Sequence, residues 1–394
     1  MTNQLMVENG KKYMMNNVNR LPVVFSKGTG SKLWDVDGKE YIDFLTGISV
    51  ANFGHSHPEI VEAMCRQADK LLHVSNLYYL EEQVEVAEEL IKLSGYQQVF
   101  FANSGAEANE GAIKIARKYG KEKLNGKFEI VTAVDSFHGR TLGALSATGQ
   151  PKYQKNFLPV VPGFRYAEFN DLDSWKQAIN DNTCAILLEL VQGESGITPA
   201  KPDFINGLIE ICNEQNILLM VDEIQTGLGR TGKMFAYEHF GFKPDLITIA
   251  KSLGGGIPAG AILVSEKANV FTPGDHSTTI GGGGMALAAA KVTLKLLQQP
   301  GLMNEVINKG NYFHEVFASW KSEIPMIKES RGLGMMLALD LKIPCKPVMQ
   351  ACLDAGLVIN AVNETALRML PAFNISQAEI DKGLEILKKV LKQF

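Results

Sequence analysis

The sequence of 394 residues has no apolar run that approaches the ~18 residues a membrane-spanning helix needs. Its N-terminus also lacks a basic segment followed by an apolar stretch, which is the pattern of a secretory signal peptide. We therefore expect neither a membrane span nor export, and we predict a cytoplasmic protein.

Paired cysteines and runs of like charge are missing as well. The five cysteines are odd in number and scattered, with no Cys-x-x-Cys pair, which favours reduced thiols over a disulfide framework. The 39 basic and 43 acidic residues give a net charge of -4 and form no long run of either sign. Nothing therefore favours nucleic acid or an anionic membrane as a partner, and small metabolites are the expected ones.

What the sequence does have is enough apolar residues for a large core, and a regular alternation of patterns. With 45% hydrophobic residues, the chain can form one large domain and a smaller one. Short apolar runs alternate with helical patterns, which predicts an α/β sheet. These runs lie at residues 98–101, 129–134, 184–191, 217–221, 246–250 and 260–264.

The chain ends predict a smaller domain. Lys32–Val36 and Lys39–Phe44 flank Asp37-Gly38, which predicts a hairpin with a two-residue turn. We assign residues 1–50 to an N-terminal segment with this hairpin, 51–285 to a large domain and 286–394 to a C-terminal small domain that begins with a long helix.

The most informative stretch is the apolar run that ends at Lys251 and is followed by Gly254, Gly255 and Gly256. A lysine at the end of a buried strand is partly desolvated, so its pKa should fall and its amine can attack a carbonyl to form a Schiff base. The glycines allow a ligand to approach the backbone closely. A strand-end lysine on an ordinary loop is the alternative.

A second strand end, at Asp222, supports the functional interpretation of Lys251. The run at 217–221 leads into Asp222, and parallel strands present their carboxyl ends at one edge of a sheet, where ligands bind. A lysine that forms an imine and an aspartate that ionises beside a pyridinium nitrogen are the two fixed points of a pyridoxal phosphate site. Asp222 alone could instead cap the next turn.

Two further junctions suit the same ligand. Ser104 and Gly105 stand at the first turn of a predicted helix, where free N–H groups favour a phosphate, although a serine N-cap explains them equally well. After the run at 129–134, Phe137 can stack on a flat heterocycle. Arg140 can hold a carboxylate with two parallel hydrogen bonds, or it can simply be solvated.

Two short motifs are set aside. His55 and His57 have the spacing of metal ligands, but no third ligand stands nearby, so we expect a turn before a helix and no metal. Gly227–Gly232 matches the dinucleotide-binding pattern, yet its glycines neither follow a strand directly nor open a convincing helix. We expect an ordinary loop there.

Four stretches occur in the order found in the class III aminotransferases, and from about residue 13 to the C-terminus the chain resembles that family. They are Ser104–Glu110, Phe137–Thr141, Asp222–Gly227 and Ala250–Gly256. The resemblance implies a fold-type I pyridoxal-phosphate-dependent transferase, with a large domain around a mostly parallel central sheet. Its smaller α/β domain would be built from both chain ends.

The resemblance also implies residue roles. Lys251 would form the imine and move the proton, and Asp222 would keep the pyridine nitrogen protonated. The remaining cofactor-binding residues would be Ser104, Gly105 and Ala106 at the phosphate, Phe137 on the ring, Gln225 near the ring hydroxyl, and Thr279 at the phosphate of the neighbouring subunit. The active sites would therefore be shared within a homodimer.

Substrate binding is implied for Arg140, Thr278, Arg368 and Glu194. Arg140 would hold the carboxylate remote from the reacting amine, and Arg368 would bind the α-carboxylate of glutamate. Glu194 would pair with Arg368 when the donor reacts through a terminal amine, so the pair would act as a switch.

The expected reaction converts N-acetylornithine and 2-oxoglutarate to N-acetylglutamate semialdehyde and glutamate, a step of arginine biosynthesis. Ornithine, succinylornithine, succinyldiaminopimelate and 4-aminobutyrate are alternative donors within the family. A mutase or decarboxylase of the same fold, or a catalytically silent scaffold, are further alternatives. Three departures bear on the donor: Val18 replaces a tyrosine, Leu190-Val191 replaces Pro-Ile, and Gly283-Gly284 replaces Asn-Pro.

Overall fold

The computed structural model describes residues 1–394, which form helices on both sides of a central sheet and two smaller sheets near the chain ends. The strands are β1 (Phe25–Thr29), β2 (Lys32–Asp35), β3 (Glu40–Asp43), β4 (Gln98–Ala102), β5 (Glu129–Ala133), β6 (Phe164–Ala167), β7 (Thr183–Leu188), β8 (Val191–Gln192), β9 (Thr198–Pro199), β10 (Leu218–Asp222), β11 (Leu246–Ile249), β12 (Gly260–Val264), β13 (Ile327–Leu333), β14 (Met336–Leu341), β15 (Leu357–Val358), β16 (Asn360–Ala361) and β17 (Ala366–Met369).

The helices are α1 (Asn3–Tyr13), α2 (Thr46–Ser49, a single turn with left-handed φ), α3 (Pro58–Lys70), α4 (Glu81–Ser94), α5 (Gly105–Lys123), α6 (Leu142–Ala147), α7 (Pro151–Gln154), α8 (Leu172–Ala178), α9 (Pro202–Glu214), α10 (Gly284–Leu297), α11 (Leu302–Trp320), α12 (Cys345–Asp354) and α13 (Gln377–Leu391). Short 3-10 turns cover Ala236–Phe240 and Lys251–Gly254. None of the helices is long and apolar enough to cross a membrane.

The central sheet has seven strands in the order β4-β12-β11-β10-β7-β5-β6. All six apolar runs identified in the sequence are strands of this sheet, so the predicted α/β architecture is confirmed. The sheet is parallel except for β12, which runs antiparallel to both of its neighbours. That reversal could not be predicted from the apolar pattern, because a fully buried strand is apolar whichever way it runs.

The seventh strand, β6, was missed. It lies at the edge of the sheet and contains Arg165 and Tyr166, which are exposed, so only Ala167 is fully buried. These two exposed side chains interrupt the apolar pattern, whereas β4, at the other edge, has Val99, Phe100 and Phe101 in succession and was recognised.

Both chain ends contribute to one small sheet, β1-β2-β3-β15, in which β15 runs parallel to β3. The predicted hairpin is β2–β3, but β2 ends at Asp35 and β3 begins at Glu40, so the connection has four residues rather than two. The Asp35 carboxylate shapes it by accepting hydrogen bonds from the N–H groups of Asp37 and Lys39. The exact division at residues 50 and 285 stays a prediction.

The strand ends that carry the predicted chemistry meet at one edge. β10 and β11 are parallel neighbours, with Asp222 opposite Thr248. Asp222 is therefore the last residue of its strand, and Lys251 follows β11 after a single residue, Ala250. This placement agrees with the expectation from the sequence.

Candidate active site

A cleft of about 510 Å³ opens at the carboxyl edge of the central sheet. Nine of the twelve predicted site residues line it: Ser104, Gly105, Ala106, Phe137, Arg140, Glu194, Asp222, Gln225 and Lys251. Arg368 lies directly behind Glu194, to which it is hydrogen-bonded. The structure thus brings ten of these side chains or backbone segments together, from strand ends far apart in the sequence.

The two threonines stand apart from this group. The Thr278 hydroxyl accepts a hydrogen bond of 3.2 Å from Asn103, which lines the cleft, so Thr278 is at its margin. Thr279 is exposed and does not line the cleft of its own chain.

Asp222 is held from three directions. One carboxylate oxygen accepts hydrogen bonds of 2.8 Å from Asn109 Nδ2 and from His138 Nδ1, and the other accepts one of 3.0 Å from the N–H of Ile224. Asn109 is fixed in turn by the Thr248 hydroxyl. Such a set of donors holds the carboxylate in one orientation.

The sequence interpretation missed Asn109 and His138. His138 follows Phe137 in a motif that was recognised, and its burial was the missing information. Asn109 lies about one turn into α5, where it is buried among the apolar residues of that helix. A polar residue on an otherwise apolar helix face is the signal that could have pointed to it.

Lys251 combines an unusual backbone with an altered amine. Its φ of 44° is in the left-handed region, which a non-glycine residue adopts at a cost and which is frequent at functional sites. Burial lowers the pKa of Lys251 to about 8, with the Arg368 charge acting in the same direction and Glu194 opposing it. A substantial fraction of the amine is therefore neutral near physiological pH.

Arg140 makes no hydrogen bond within the chain, and aromatic rings support it instead. Its guanidinium lies 3.9 Å from the centroid of the Tyr153 ring and 5.5 Å from that of Phe137. Tyr153, on α7, was not singled out from the sequence. Because the guanidinium is exposed and its N–H donors are free, it is available to a carboxylate in the cleft.

Glu194, which lines the cleft, forms an ion pair with Arg368 behind it. Arg368 is 1% exposed, and its Nη1 also donates to the Gly193 carbonyl at 3.1 Å. Burial would raise the pKa of Glu194, but the Arg368 charge and hydrogen bond outweigh it and lower that pKa. The pair is consequently ionised in this arrangement.

Glu189 is a buried carboxylate that the sequence interpretation overlooked. It accepts hydrogen bonds from the N–H groups of Phe137 at 3.0 Å and Gly193 at 3.2 Å. Burial raises the pKa of Glu189 to about 7. This side chain ties the loop of the predicted ring-stacking residue to the turn that carries Glu194.

The start of α5 supplies the predicted phosphate contacts. Ser104 is the N-cap, and its hydroxyl accepts from the N–H of Glu107 at 3.2 Å, so the structural alternative for this side chain is realised. The N–H groups of Gly105 and Ala106, at the first two helical positions, have no acceptor within the helix. They line the cleft with the positive end of the helix dipole behind them.

The motifs set aside earlier have structural roles. His55 pairs with Asp43 at 2.6 Å, and no group of three or more His, Cys, Asp or Glu side chains could hold a metal. Gly227–Gly232 is a loop, as expected, whose Arg230 is fully buried and donates to the Met335 and Pro371 carbonyls.

Val18, one of the positions that depart from the family pattern, is 53% exposed and does not line the cleft.

The residues present fit pyridoxal phosphate. A lysine with a lowered pKa, an anchored carboxylate and an unobstructed helix N-terminus line one cleft. Gln225 Oε1 is buried there without a hydrogen-bond partner, which leaves an acceptor free for a ring substituent. A larger residue than Gly105 would intrude, since an added Cβ lies 2.7 Å from Ile224.

Comparison with known proteins agrees with this chemistry. The family model described as aminotransferase class-III matches residues 13–391. The chain is 47% identical to an acetylornithine aminotransferase of Caldanaerobacter subterraneus, over 99% of this chain and 100% of that protein. It is 45% identical to an acetylornithine aminotransferase of Methanocaldococcus jannaschii, over 98% and 97% of the two chains.

Solved structures show the same fold. The ornithine aminotransferase of Toxoplasma gondii superposes with a TM-score of 0.96 at 31% identity, covering 100% of this chain and 96% of that one. The N-acetylornithine aminotransferase of Stenotrophomonas maltophilia gives a TM-score of 0.85 at 34% identity, covering 98% and 99%. A second structure of the Toxoplasma enzyme is described with partial occupancy of pyridoxal phosphate at its active site. On the extent of the family match and the identity to these relatives, the chain belongs to the class III aminotransferases, whose cofactor is pyridoxal phosphate.

Proposed function

We propose that this aminotransferase moves the terminal amino group of N-acetylornithine to 2-oxoglutarate, giving N-acetylglutamate semialdehyde and glutamate. The observation that carries the proposal is the ion pair between the half-buried Glu194 and the buried Arg368, in the same cleft as Lys251 and the unpaired Arg140. Further support comes from relatives of 41–47% identity that are named acetylornithine aminotransferases.

Different residues of the cleft would bind and orient different parts of the cofactor. When bound, pyridoxal phosphate supplies the carbonyl that accepts the amino group and the electron sink that stabilises a substrate carbanion. Asp222 would hold the proton on the ring nitrogen, since its three hydrogen bonds keep its carboxylate in place. Phe137 would lie on the ring, and the N–H groups of Gly105 and Ala106 would donate to the phosphate.

Lys251 would carry the proton that transamination must move. Its amine would take a proton from the carbon that bears the reacting nitrogen, and the ammonium so formed would give a proton back to complete the transfer. A base with a pKa near the working pH does this best, because it is neutral often enough to accept the proton and acidic enough to give it back. The pKa of about 8 satisfies this condition.

The two arginines would treat the two substrates differently. Arg140 would hold the carboxylate remote from the reacting amine in both N-acetylornithine and 2-oxoglutarate. Arg368 would hold the α-carboxylate next to the reacting carbon, which only glutamate and 2-oxoglutarate present there. With a terminal-amine donor, Glu194 neutralises Arg368, so no buried charge is left unpaired.

The proposed enzyme is a homodimer with shared active sites. Thr279 is exposed in its own chain, and Leu77, Tyr79 and Ile280 nearby are 84%, 91% and 59% exposed. Asn76 fastens the two segments together by donating to the Thr278 and Gly281 carbonyls. Exposed aromatic and aliphatic side chains grouped in this way are typical of a subunit interface. Location in the cytoplasm stays a prediction from the sequence.

The decisive experiment compares amino donors in single-turnover half-reactions, followed by the absorbance of the bound cofactor. We expect N-acetylornithine to react with a higher kcat/KM than ornithine, succinylornithine, succinyldiaminopimelate or 4-aminobutyrate. 2-Oxoglutarate should then accept the amino group, which completes the cycle and releases glutamate. Ornithine is the main rival donor, because the structures with a TM-score of 0.96 are ornithine aminotransferases. A clear preference for any of the other donors would overturn the proposed substrate.

A further inference from the structure

The turn that carries Glu194 rests on a sheet between two arginines. In the sheet β13-β14-β17-β16, Arg331 is opposite Ala338 and Ala338 is opposite Arg368. Residues directly opposite one another point to the same face, so both guanidinium groups project from one face. The backbone positions of the two arginines are two strand spacings apart, roughly 10 Å, and Ala338 lies between them.

The two guanidinium groups hold opposite ends of the turn. Arg368 donates to the Gly193 carbonyl and to the Glu194 carboxylate. At the other end, Arg331 donates to the Gly196 carbonyl through Nε at 3.2 Å and through Nη2 at 2.9 Å. Two N–H groups on one carbonyl fix its direction as well as its position.

Packing confirms that the turn is seated firmly. Val191 and Ile197, on either side of it, are fully buried against Met336, Ala338 and Leu370 in a small apolar cluster. These three belong to the same part of the chain as the two arginines, so the turn is attached through both apolar and polar contacts.

Gly196 is required for the Arg331 contact. Its φ is +107°, and an added Cβ would lie 2.6 Å from Asn363 Nδ2 and 3.0 Å from Arg331 Nη2. Asn363 also donates to the Ser195 carbonyl at 3.2 Å. The backbone after Glu194 is therefore fixed at two successive carbonyls, and only the side chain of Glu194 is left free to turn.

We propose that Arg331 is a positioning residue for the Glu194–Arg368 pair, and that the preference between terminal-amine donors and glutamate depends on it. The inference rests on the proposed function. With its backbone fixed by Arg331, Glu194 leaves Arg368 by side-chain rotation alone and returns to the same geometry after each half-reaction. If the turn is released, the pair forms less often and Arg368 becomes more accessible to an α-carboxylate.

The test compares Arg331→Gln with Lys328→Gln. Both residues pair with Asp340, at 2.9 Å and 3.1 Å, and both variants remove one positive charge. Either variant leaves Asp340 with the other cation and with the Thr365 hydroxyl, so no buried carboxylate is orphaned. Only Arg331→Gln removes the hydrogen bonds to the Gly196 carbonyl. Arg331→Lys, which keeps the charge with fewer donors, serves if the glutamine variant does not fold.

The first readout is the rate of the glutamate half-reaction divided by that of the N-acetylornithine half-reaction. We expect roughly a 3-fold or larger rise in Arg331→Gln, a smaller rise in Arg331→Lys and no change in Lys328→Gln, since interactions between contacting residues couple on this scale. An unchanged ratio in Arg331→Gln, or an equal change in Lys328→Gln, overturns the inference.

The second readout is amide hydrogen exchange in residues 192–198. Exchange should be faster in Arg331→Gln than in the wild type and unaltered in Lys328→Gln, because only the first variant releases the turn. Failure of the wild type with both donors would contradict the proposed function. In that case the exchange measurement still decides whether Arg331 holds the turn, and equal exchange in all variants would show that it does not.

Discussion

Lys251 illustrates how single residues in the cleft obtain their properties from their neighbours. Its amine is surrounded by carboxylates and by Arg368, and burial outweighs the carboxylates. The net effect lowers the pKa from an ordinary value of 10.5 to about 8. Below this pH the side chain is an ammonium ion without a nucleophilic lone pair, and above it the neutral amine predominates.

We predict that covalent capture of pyridoxal phosphate by the cofactor-free enzyme accelerates with pH through a midpoint of about 8. Stopped-flow absorbance across a pH series would give the midpoint. Glu194→Gln should move the midpoint downward, because the Glu194 charge favours the protonated amine. Lys251→Arg, which has no reactive amine, is the control for capture elsewhere. A midpoint near that of an ordinary lysine would show that burial does not tune this amine.

Arg140→Ala should raise KM for N-acetylornithine and for 2-oxoglutarate together, by about 10-fold or more for each. One guanidinium is proposed to hold the remote carboxylate of both substrates, so neither should be spared. A smaller change in kcat is expected, since this contact is made equally in the ground and transition states.

Lys152→Ala is the matched control for this variant. Lys152 lies 4.9 Å from the centroid of the same Tyr153 ring, yet it is not a residue of the cleft. Steady-state kinetics should therefore be unchanged in it. An increase in KM for only one substrate of Arg140→Ala would refute the shared clamp.

At the scale of elements, the turn Gly193–Gly196 joins the large sheet to the sheet β13-β14-β17-β16. It is pinned by Glu189 and Arg368 at its beginning and by Arg331 at its end. The strands on either side are short, and their stability comes from the cluster beneath them. A rigid turn with one mobile carboxylate is an arrangement suited to a two-position switch.

Glu194→Gln keeps the size of the side chain but removes its charge, so Arg368 should become available to α-carboxylates. We expect the rate of the glutamate half-reaction, divided by that of the N-acetylornithine half-reaction, to rise about 10-fold, which corresponds to ~1.4 kcal/mol. Single-turnover absorbance with each donor measures the ratio. Ser195→Ala, in the same turn, should leave the ratio unaltered, because the Ser195 hydroxyl donates to Gln192 and makes no hydrogen bond to Arg368. An unchanged ratio in the glutamine variant would reopen the alternative of a mutase or decarboxylase, which needs no switch.

Much of the architecture was predictable because buried strands consist of apolar residues, which can be recognised in the sequence. Five of the six recognised strands are wholly or almost wholly buried, and the sixth, β4, is half-buried but contains Val99, Phe100 and Phe101, so each left an apolar run in the sequence. The exposed edge strand β6 and the reversed direction of β12 left no such record. Family resemblance identified the residues proposed to contact ligands, whereas Asn109, Glu189 and Arg331 would act through other residues. Their roles depend on distances between segments far apart in the chain, which a single sequence does not contain.

At the scale of the whole molecule, the two chain ends meet in one sheet, and Thr279 is exposed and does not line the cleft of its own chain. The exposed side chains Leu77, Tyr79 and Ile280 accompany it. In a two-fold dimer the same surface is used by both subunits, so each would lend its Thr279 to the other. The unit of function would then be the dimer, although each chain contains a complete set of the other cleft residues.

Mixed dimers test this sharing directly. Lys251→Ala disables the cleft of its own chain, and Thr279→Asp sets a negative charge where the phosphate of the neighbouring cleft is proposed to lie. Each homodimer should be almost inactive. In a dimer of one chain of each kind, one cleft combines Lys251 with the wild-type Thr279 of the other chain and is intact.

An equal mixture of the two variants, after dissociation and reassociation, should therefore regain about one quarter of the wild-type active sites, because half of the dimers are mixed and each has one intact site. The matched control mixes Lys251→Ala with Asp222→Asn, which both damage the cleft of their own chain and so leave no intact site in any dimer. Recovery in the first mixture alone would establish that Thr279 serves the partner; no recovery in either would place its function within its own chain.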